Sequence, residues 1–413
     1  MKKFKFIDLF AGIGGFHQAL TQLGGKCVFA SEIDKDCIET YYQNYGINAD
    51  NDITKIIPED VPDHDVLCGG FPCQAFSKAG KQRGFAETRG TLFFYIEKIL
   101  LAKKPKYIIL ENVRNLVSHD GGNTWKVIRK HLQDAGYRLT ENPIIISPHQ
   151  IGVPQLRERV VILGIYDPEN IDNYLNIDLG ELKDKNDNSI DTILEDNNQE
   201  EKYKITKKEE QVLNAWDEFY KMIDMKVIGF PIWADYFDGH IEEDYPDWKK
   251  EFIEKNHAIY VLNKSKIDRW AKKWNVYTEF TPTQRKMEWQ AGNKIDSLWD
   301  GFIQFRPSGV RVKAPTCFPA LVAMVQVPIV GKYKRRLTIR EAARLQSFPD
   351  EFIPNKNDHQ AYKQFGNAVN INVIKFTAEK LFNLKEDWYN LFFFYWWLNM
   401  LREKHFLLKY DII

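Results

Sequence analysis

The first 166 residues alternate short apolar runs with amphipathic stretches, and this alternation limits the fold more than any other feature of the chain. Residues 4–10, 27–30, 65–68, 107–110, 144–146 and 160–165 read as buried strands. Residues 16–23, 92–102 and 125–135 have helical periodicity and lie between them. Strands alternating with helices imply βαβ units and a largely parallel sheet in an α/β fold. The pattern breaks near Asp167. Residues 183–202 are polar and poor in large apolar side chains, as in a loop or linker. Residues 203–300 are acidic yet carry seven of the eleven tryptophans, which predicts a core of their own. Further on, Leu337 to Gln346 has helical spacing, with Thr338 placed as N-cap and Glu341 completing a capping box. A second helix is expected near 369–382.

The formal net charge of zero, 57 basic against 57 acidic side chains, hides an uneven distribution. Residues 1–166 carry a net +3, residues 167–300 a net −11 and residues 301–413 a net +8. Between 301 and 349 nine cations face a single acid, Glu341. So pure a basic segment is an electrostatic footprint for a polyanion, although a solvated basic face has the same composition. The five cysteines are odd in number and scattered, which argues against a disulfide scaffold and for a reducing cytoplasm. The N-terminus has no signal-peptide pattern, and no apolar run reaches membrane-spanning length.

Two segments carry chemistry. Phe10-Ala-Gly-Ile-Gly-Gly-Phe16 follows the first strand and opens a helix, and Gly12 and Gly14 allow a tight turn with close ligand approach. Glu32 lies 20 residues after Gly12, where a nucleotide-binding βαβ unit places a carboxylate for ribose hydroxyls. A dinucleotide, an adenosylmethionine and a bare tight turn all fit this pattern. Asp52 and Ile53 offer a further carboxylate and an apolar contact, or an ordinary loop. The second segment, Gly69-Gly-Phe-Pro-Cys-Gln-Ala-Phe-Ser77, presents Cys73 at the end of the strand at 65–68, and Glu111 stands likewise after the strand at 107–110. Glu32, Cys73 and Glu111 are therefore expected on one rim of the sheet, where doubly wound folds bind ligands. A thiol and a carboxylate on a cofactor-bearing rim point to nucleophilic catalysis. His64, Cys68 and Cys73 lack a second ligand pair at zinc spacing, so a metal site is rejected.

These segments occur in order with Glu111-Asn-Val, Gln155-Leu-Arg157-Glu-Arg159, Arg336-Leu-Thr-Ile-Arg-Glu-Ala-Ala-Arg-Leu-Gln346 and Gly366-Asn-Ala-Val369. The series resembles the bacterial DNA cytosine-5 methyltransferases of type II restriction–modification systems, over residues 4–166 and 336–382. The resemblance implies a Rossmann-like S-adenosylmethionine-dependent methyltransferase sheet formed by 1–166 plus 357–413. A smaller target-recognition domain is inserted at 167–356, with a DNA cleft between the two. It implies Cys73 as nucleophile, Glu111 gripping the cytosine, and Arg157 and Arg159 contacting the base and bracing the site. Phe10, Gly12, Gly14, Glu32, Ile33, Asp52, Ile53, Pro72 and Asn367 would surround S-adenosylmethionine. Because the thiolate attacks perpendicular to the ring, the cytosine must leave the stack.

The basic, glycine-bearing stretch 78–89 reads as a loop that closes on DNA, with Ser77, Lys81, Arg83 and Arg89 as contacts. Arg306, Arg311, Lys332 and Arg335 are further phosphate or guanine contacts. A Thr-Leu pair common in the family is replaced here by Ala320-Leu321. The implied partners are double-stranded DNA and, genetically only, a cognate restriction endonuclease. The chain is read as a cytoplasmic monomer. The aromatic segment 391–401, too short to span a bilayer, either packs on the large domain or docks a partner. RNA cytosine-5 methylation and an inactive DNA-binding regulator are the competing readings, and a glycine-turn dehydrogenase ranks below both.

Overall fold

The computed structural model describes residues 3–72, 92–180, 182, 189–195, 200–223, 229–321 and 326–384. Cys73, the rest of the stretch to 91 and the segment 385–413, including its aromatic run, lie outside the described residues.

The amino-terminal part runs β1 (Phe4–Leu9), α1 (Gly15–Gln22), β2 (Gly25–Ser31), α2 (Lys35–Tyr45), β3 (Val66–Gly70), α3 (Phe93–Lys103) and β4 (Tyr107–Val113). It continues through α4 (Asn115–Ser118), α5 (Asn123–Asp134), β5 (Tyr137–Leu139), β6 (Ile144–Ile146), β7 (Gln155–Leu156) and β8 (Arg159–Tyr166). The strand order is β2-β1-β3-β4-β8-β5, with β6 also pairing β8. β2, β1, β3 and β4 are mutually parallel, as the alternation of strands and helices predicts. The largely parallel expectation fails beyond β4: β8 runs antiparallel to β4, β5 and β6. Only short connections, with no crossover helix, separate β5, β6 and β8, so the chain reverses.

The parallel strands are buried on both sides, and successive residues serve opposite layers. Phe6, Val66, Cys68 and Ile109 face a core shared with α1, while Ile7, Leu67, Ile108 and Leu110 face a core shared with α3 and α5.

The later part holds α6 (Lys207–Met222), β9 (Ile232–Trp233), α7 (Asp247–Trp274), α8 (Val276–Glu279), β10 (Lys286–Trp289), β11 (Phe302–Arg306), β12 (Gly309–Lys313), β13 (Phe318–Pro319), β14 (Ile329–Val330) and β15 (Arg335–Arg336). Its sheet has the order β15-β14-β11-β12-β10-β9. The tryptophan-rich region does form a separate core: Trp216, Phe219 and Trp270 are fully buried against Ile303, Val310 and Val312. Trp216 and Trp270 satisfy their indole N–H groups on the carbonyls of Gln284 and Ala215, which is what a buried indole requires.

Three helices end the described residues: α9 (Ile339–Leu345), α10 (Asp358–Asn367) and α11 (Ile371–Phe382). The capping box at α9 forms as read, with Glu341 N–H donating to Thr338 Oγ1 at 3.1 Å and Thr338 N–H to Glu341 Oε2 at 2.7 Å. α10 was not anticipated; Asn357 caps it by accepting from the N–H groups of His359 and Gln360. Leu337, Ile339 and Leu345 share the core of Ile371, Ile374 and Leu381, so α9 packs with the large sheet. One parallel ladder ties the later part to the large sheet's approach: β13 pairs β7, with Phe318 opposite Gln155.

Candidate active site

A cavity of about 390 Å³ opens at the carboxyl ends of β1, β3 and β4. Of the residues singled out in the sequence, Phe10, Gly12, Glu32, Pro72, Glu111, Arg157, Arg159 and Asn367 line it.

One end is the glycine turn. Gly12 is left-handed (φ +53°), and the space where a Cβ would stand is open. Its N–H donates to Glu32 Oε2 at 2.8 Å, while Oε1 accepts from the N–H groups of Ile33 and Asp34. The carboxylate therefore fixes the turn and the start of α2 together. Phe10 is left-handed too (φ +55°), a conformation costing a non-glycine residue roughly 1–3 kcal/mol, and one that tends to cluster at ligand sites. Gly14 serves packing rather than lining: a Cβ there would stand 2.2 Å from the Tyr45 ring. Ile33 is 70% exposed beside the turn, Asp52 is half-buried with its carboxylate capping Thr54, and Ile53 is buried in the core.

The other end is ionic. Arg159 Nε stands 3.0 Å from Glu111 Oε1. Burial pushes the Glu111 carboxyl above its usual range, while Arg159 and Arg157 pull it back. The sign is set by desolvation, which penalises the charged form more than the arginines reward it. Arg157 behaves differently from its expected role at the base. Its Nη1 donates to the Leu321 carbonyl at 2.8 Å, and Nη2 to the carbonyls of Gly366 and Ala368 at 2.9 Å each. Burial pushes it down to about 9, so it remains cationic at neutral pH. Its terminal nitrogens are committed to backbone, which makes it a brace joining β7–β8 to the α10–α11 turn. Arg159 is the arginine that meets Glu111.

Three contributors escaped sequence reasoning. Asn112 Nδ2 donates to the Phe71 carbonyl at 2.8 Å and so holds the start of the Pro72-Cys73 loop. Lys363 Nζ lies 3.0 Å from Asp34 Oδ2, tying α10 to α2 beside the cavity. Gln364, also on α10, lines the cavity. The Glu-Asn-Val motif already carried a signal for Asn112; the α10 residues had none, standing more than 300 positions from their partners.

The expected DNA contacts divide. Ser77, Lys81, Arg83 and Arg89 lie outside the described residues, as does Cys73. Arg306 and Arg311 are half-buried on the small sheet, and Lys332 is exposed, 3.9 Å from Asp191. Arg335 corrects the expectation: it is 3% exposed and gives both terminal nitrogens to Glu341 at 2.7–2.8 Å. Its remaining Nη hydrogens go to the Arg336 and Glu195 carbonyls, so neither terminal nitrogen is left for a phosphate.

A model of the C-5 cytosine-specific DNA methylases matches residues 4–383. The type II methyltransferase M.AluI of Cellulosimicrobium cellulans is 34% identical, with 90% of this chain and 91% of that protein covered. M.NlaX of Neisseria lactamica, also a type II methyltransferase, is 36% identical over 92% of this chain and 96% of its own. Among solved structures, a Spodoptera frugiperda DNMT2 variant superposes with a TM-score of 0.52 at 19% identity, covering 92% of this chain and 99% of that one, a likeness of fold. With a family model spanning nearly the whole chain and type II methyltransferases more than 30% identical over about nine-tenths of it, this protein belongs to the C-5 cytosine-specific DNA methylase family.

Proposed function

We propose that the chain methylates carbon 5 of a cytosine flipped out of a specific double-stranded DNA site, acting as a monomer in the bacterial cytoplasm and shielding that site from a cognate restriction endonuclease. The observation that carries the reading is Glu111 held against Arg159, its carboxyl pKa raised by desolvation, in the same cavity as the Gly12–Glu32 turn. The residues at that turn suit S-adenosylmethionine. Open space beside Gly12 admits a ligand close to the backbone, the Glu32 carboxylate suits ribose hydroxyls, and exposed Ile33 offers apolar cover to an adenine. Asp52, Ile53, Pro72 and Asn367 would complete the enclosure, and Gly14 would support it from behind. Held there, the cofactor supplies an electrophilic methyl group for carbon 5.

The protein's own part is to make carbon 5 nucleophilic. The Cys73 thiolate forms a bond to carbon 6, and the ring's electrons shift towards N3 as that nitrogen takes the proton held by Glu111. The resulting enamine places electron density on carbon 5. A carboxyl whose pKa is raised by desolvation suits this donation, and Arg159 holds it in place and balances the charge it carries afterwards. Once carbon 5 is methylated, solvent removes its proton, the thiolate leaves and the N3 proton returns to Glu111, restoring the ring. Ser77, Lys81, Arg83 and Arg89 would close over the DNA, and Lys332 would touch a phosphate. We place the target-recognition unit at 167–356, and the packing of α9 favours moving its downstream edge to about 336.

The test is transfer of a labelled methyl group to duplex DNA and to RNA by wild type and Cys73→Ala. Label on DNA with wild type alone is the expected result. Label confined to RNA, or retained by the variant, would overturn the proposal.

A further inference from the structure

Two walls of the cavity come from opposite ends of the chain. One is the segment after β2, with Glu32, Asp34 and Cys37. The other is the end of α10 and the turn after it, with Gln364, Gly366 and Asn367. More than 300 residues separate the two, so no local connection fixes the width between them.

Helices α2 and α10 carry these walls and are joined by three polar contacts. At the cavity end, Lys363 Nζ donates to Asp34 Oδ2 at 3.0 Å, with both side chains about a third exposed. Further along, Gln364 Nε2 donates to Thr40 Oγ1 at 3.2 Å, and both residues are buried. At the far end Asn44 Nδ2 donates to the Ile353 carbonyl and Asn44 Oδ1 accepts from the Ile353 N–H, each at 2.8 Å. At about 1.5 Å per residue, Asn44 stands roughly 15 Å along α2 from Asp34.

The contacts differ in what they hold. The Asp34 N–H donates to Glu32 Oε1 at 2.9 Å, its Oδ1 caps α2 by accepting from the N–H groups of Asp36 and Cys37, and its Oδ2 meets Lys363. Glu32 in turn holds the Gly12 N–H, so a displacement of Asp34 reaches the glycine turn through one residue. Lys363 immediately precedes Gln364 on the opposite wall. Burial alone would raise the Asp34 carboxyl, yet Lys363 and the two capping N–H groups hold it below its usual range, so the pair is ionised at neutral pH. Asn44 is bonded to Thr40 and Ile353, neither of which lines the cavity.

A half-exposed ion pair adds little to the stability of a whole fold. Placed across a gap, the same attraction sets two binding walls at one width before a ligand arrives, and such preorganisation appears as affinity. We propose that Lys363 is a positioning residue for the cofactor: acting through Asp34, it fixes the Glu32 wall against the Asn367 wall and so governs how tightly S-adenosylmethionine is held. The inference rests on the reading that this cavity takes S-adenosylmethionine.

Binding of S-adenosylhomocysteine to the full-length chain, followed by calorimetry, tests it without turnover. Lys363→Met, which keeps the stem and removes the charge, is expected to weaken binding roughly 3- to 10-fold at low salt and less at about 1 M salt. Lys363→Arg is expected to stay within about twofold of wild type. Asp34→Asn, which retains the helix cap, is expected to lose as much as Lys363→Met, and the double variant no more than either single one. In turnover with DNA, Lys363→Met should raise KM for S-adenosylmethionine by a like factor, with kcat at saturation little changed. Asn44→Ala is expected to lower the denaturation midpoint while leaving affinity within about twofold, which separates the ion pair from a general loosening of the two helices. The inference fails if Lys363→Met binds S-adenosylhomocysteine as wild type does, if the two single losses multiply in the double variant, or if Asn44→Ala weakens binding as much. If wild type binds neither S-adenosylhomocysteine nor S-adenosylmethionine, the cofactor reading itself fails.

Discussion

The rim of the large sheet and the polar face of the small one both gather arginines, but they use them in opposite ways. Among the described residues lining the cavity, both guanidiniums are committed: Arg159 to Glu111, Arg157 to three backbone carbonyls. On strands β11 and β12 of the small sheet Arg306 and Lys313 have no ion-pair partner among the described residues, while Arg311 is anchored to Glu288. Charges that hold a few atoms in register must be fixed before the substrate arrives, because a shift of about 1 Å at a reacting centre is expensive. Charges that meet a polyanion can stay open, since displaced counterions supply the driving force.

The contrast is open to experiment. The largest effect is expected from Cys73→Ser, which should lower methyl transfer by roughly a thousandfold or more while leaving affinity for the target duplex nearly unchanged, measured by label transfer and fluorescence anisotropy. A comparable loss of binding would mean that the chemistry at the rim and the binding of DNA are not separable. Glu111→Gln and Arg159→Ala are expected to reduce kcat by about 10²- to 10⁴-fold. Their pH profiles sharpen the point. Glu111 must be protonated to donate, and burial raises its pKa, so wild-type kcat should hold to higher pH than an ordinary glutamate allows and then fall. In Glu111→Gln that alkaline fall should disappear.

Arg157→Met tests bracing against chemistry. It leaves three carbonyls without their donor, at about 1–3 kcal/mol for each one that stays buried, so calorimetry should show a clear loss of thermal stability. A variant of full stability but no activity would return Arg157 to the base. The smallest effect concerns Asp8, fully buried beneath the glycine turn with Oδ2 lacking a hydrogen bond. Desolvation raises its pKa well above the usual carboxylate range. A raised group contributes its stability below the unfolded value and loses it as pH climbs through the folded one. Asp8→Asn should therefore gain on wild type progressively as pH rises above about 4, read as the difference in denaturation midpoints.

What could be read from the chain follows the same divide. The parallel strands, the glycine turn, the Thr338 capping box and the tryptophan core were legible because each is written in a local period or in a residue with special backbone demands. β5, at three residues, was too short to show a period. Which carbonyls Arg157 braces was not legible, since they lie 164 to 211 positions away. Nor was the fate of Arg335: the single acid of the basic segment, Glu341, is the one that neutralises it.

The short ladder between β13 and β7 bears on how such proteins exchange specificity. The Leu321 carbonyl that receives Arg157 lies two residues past β13, downstream of β12 but in contact with the rim of the large sheet. A module graft that carried β9–β12 from a relative yet kept the host's Phe318–Leu321 would leave Arg157 its native acceptor. A graft cut beyond Leu321 would hand the host's brace a foreign backbone. The seam for recombining recognition with catalysis thus lies before Phe318, and Phe302, which stacks across it, is the donor residue whose size must match.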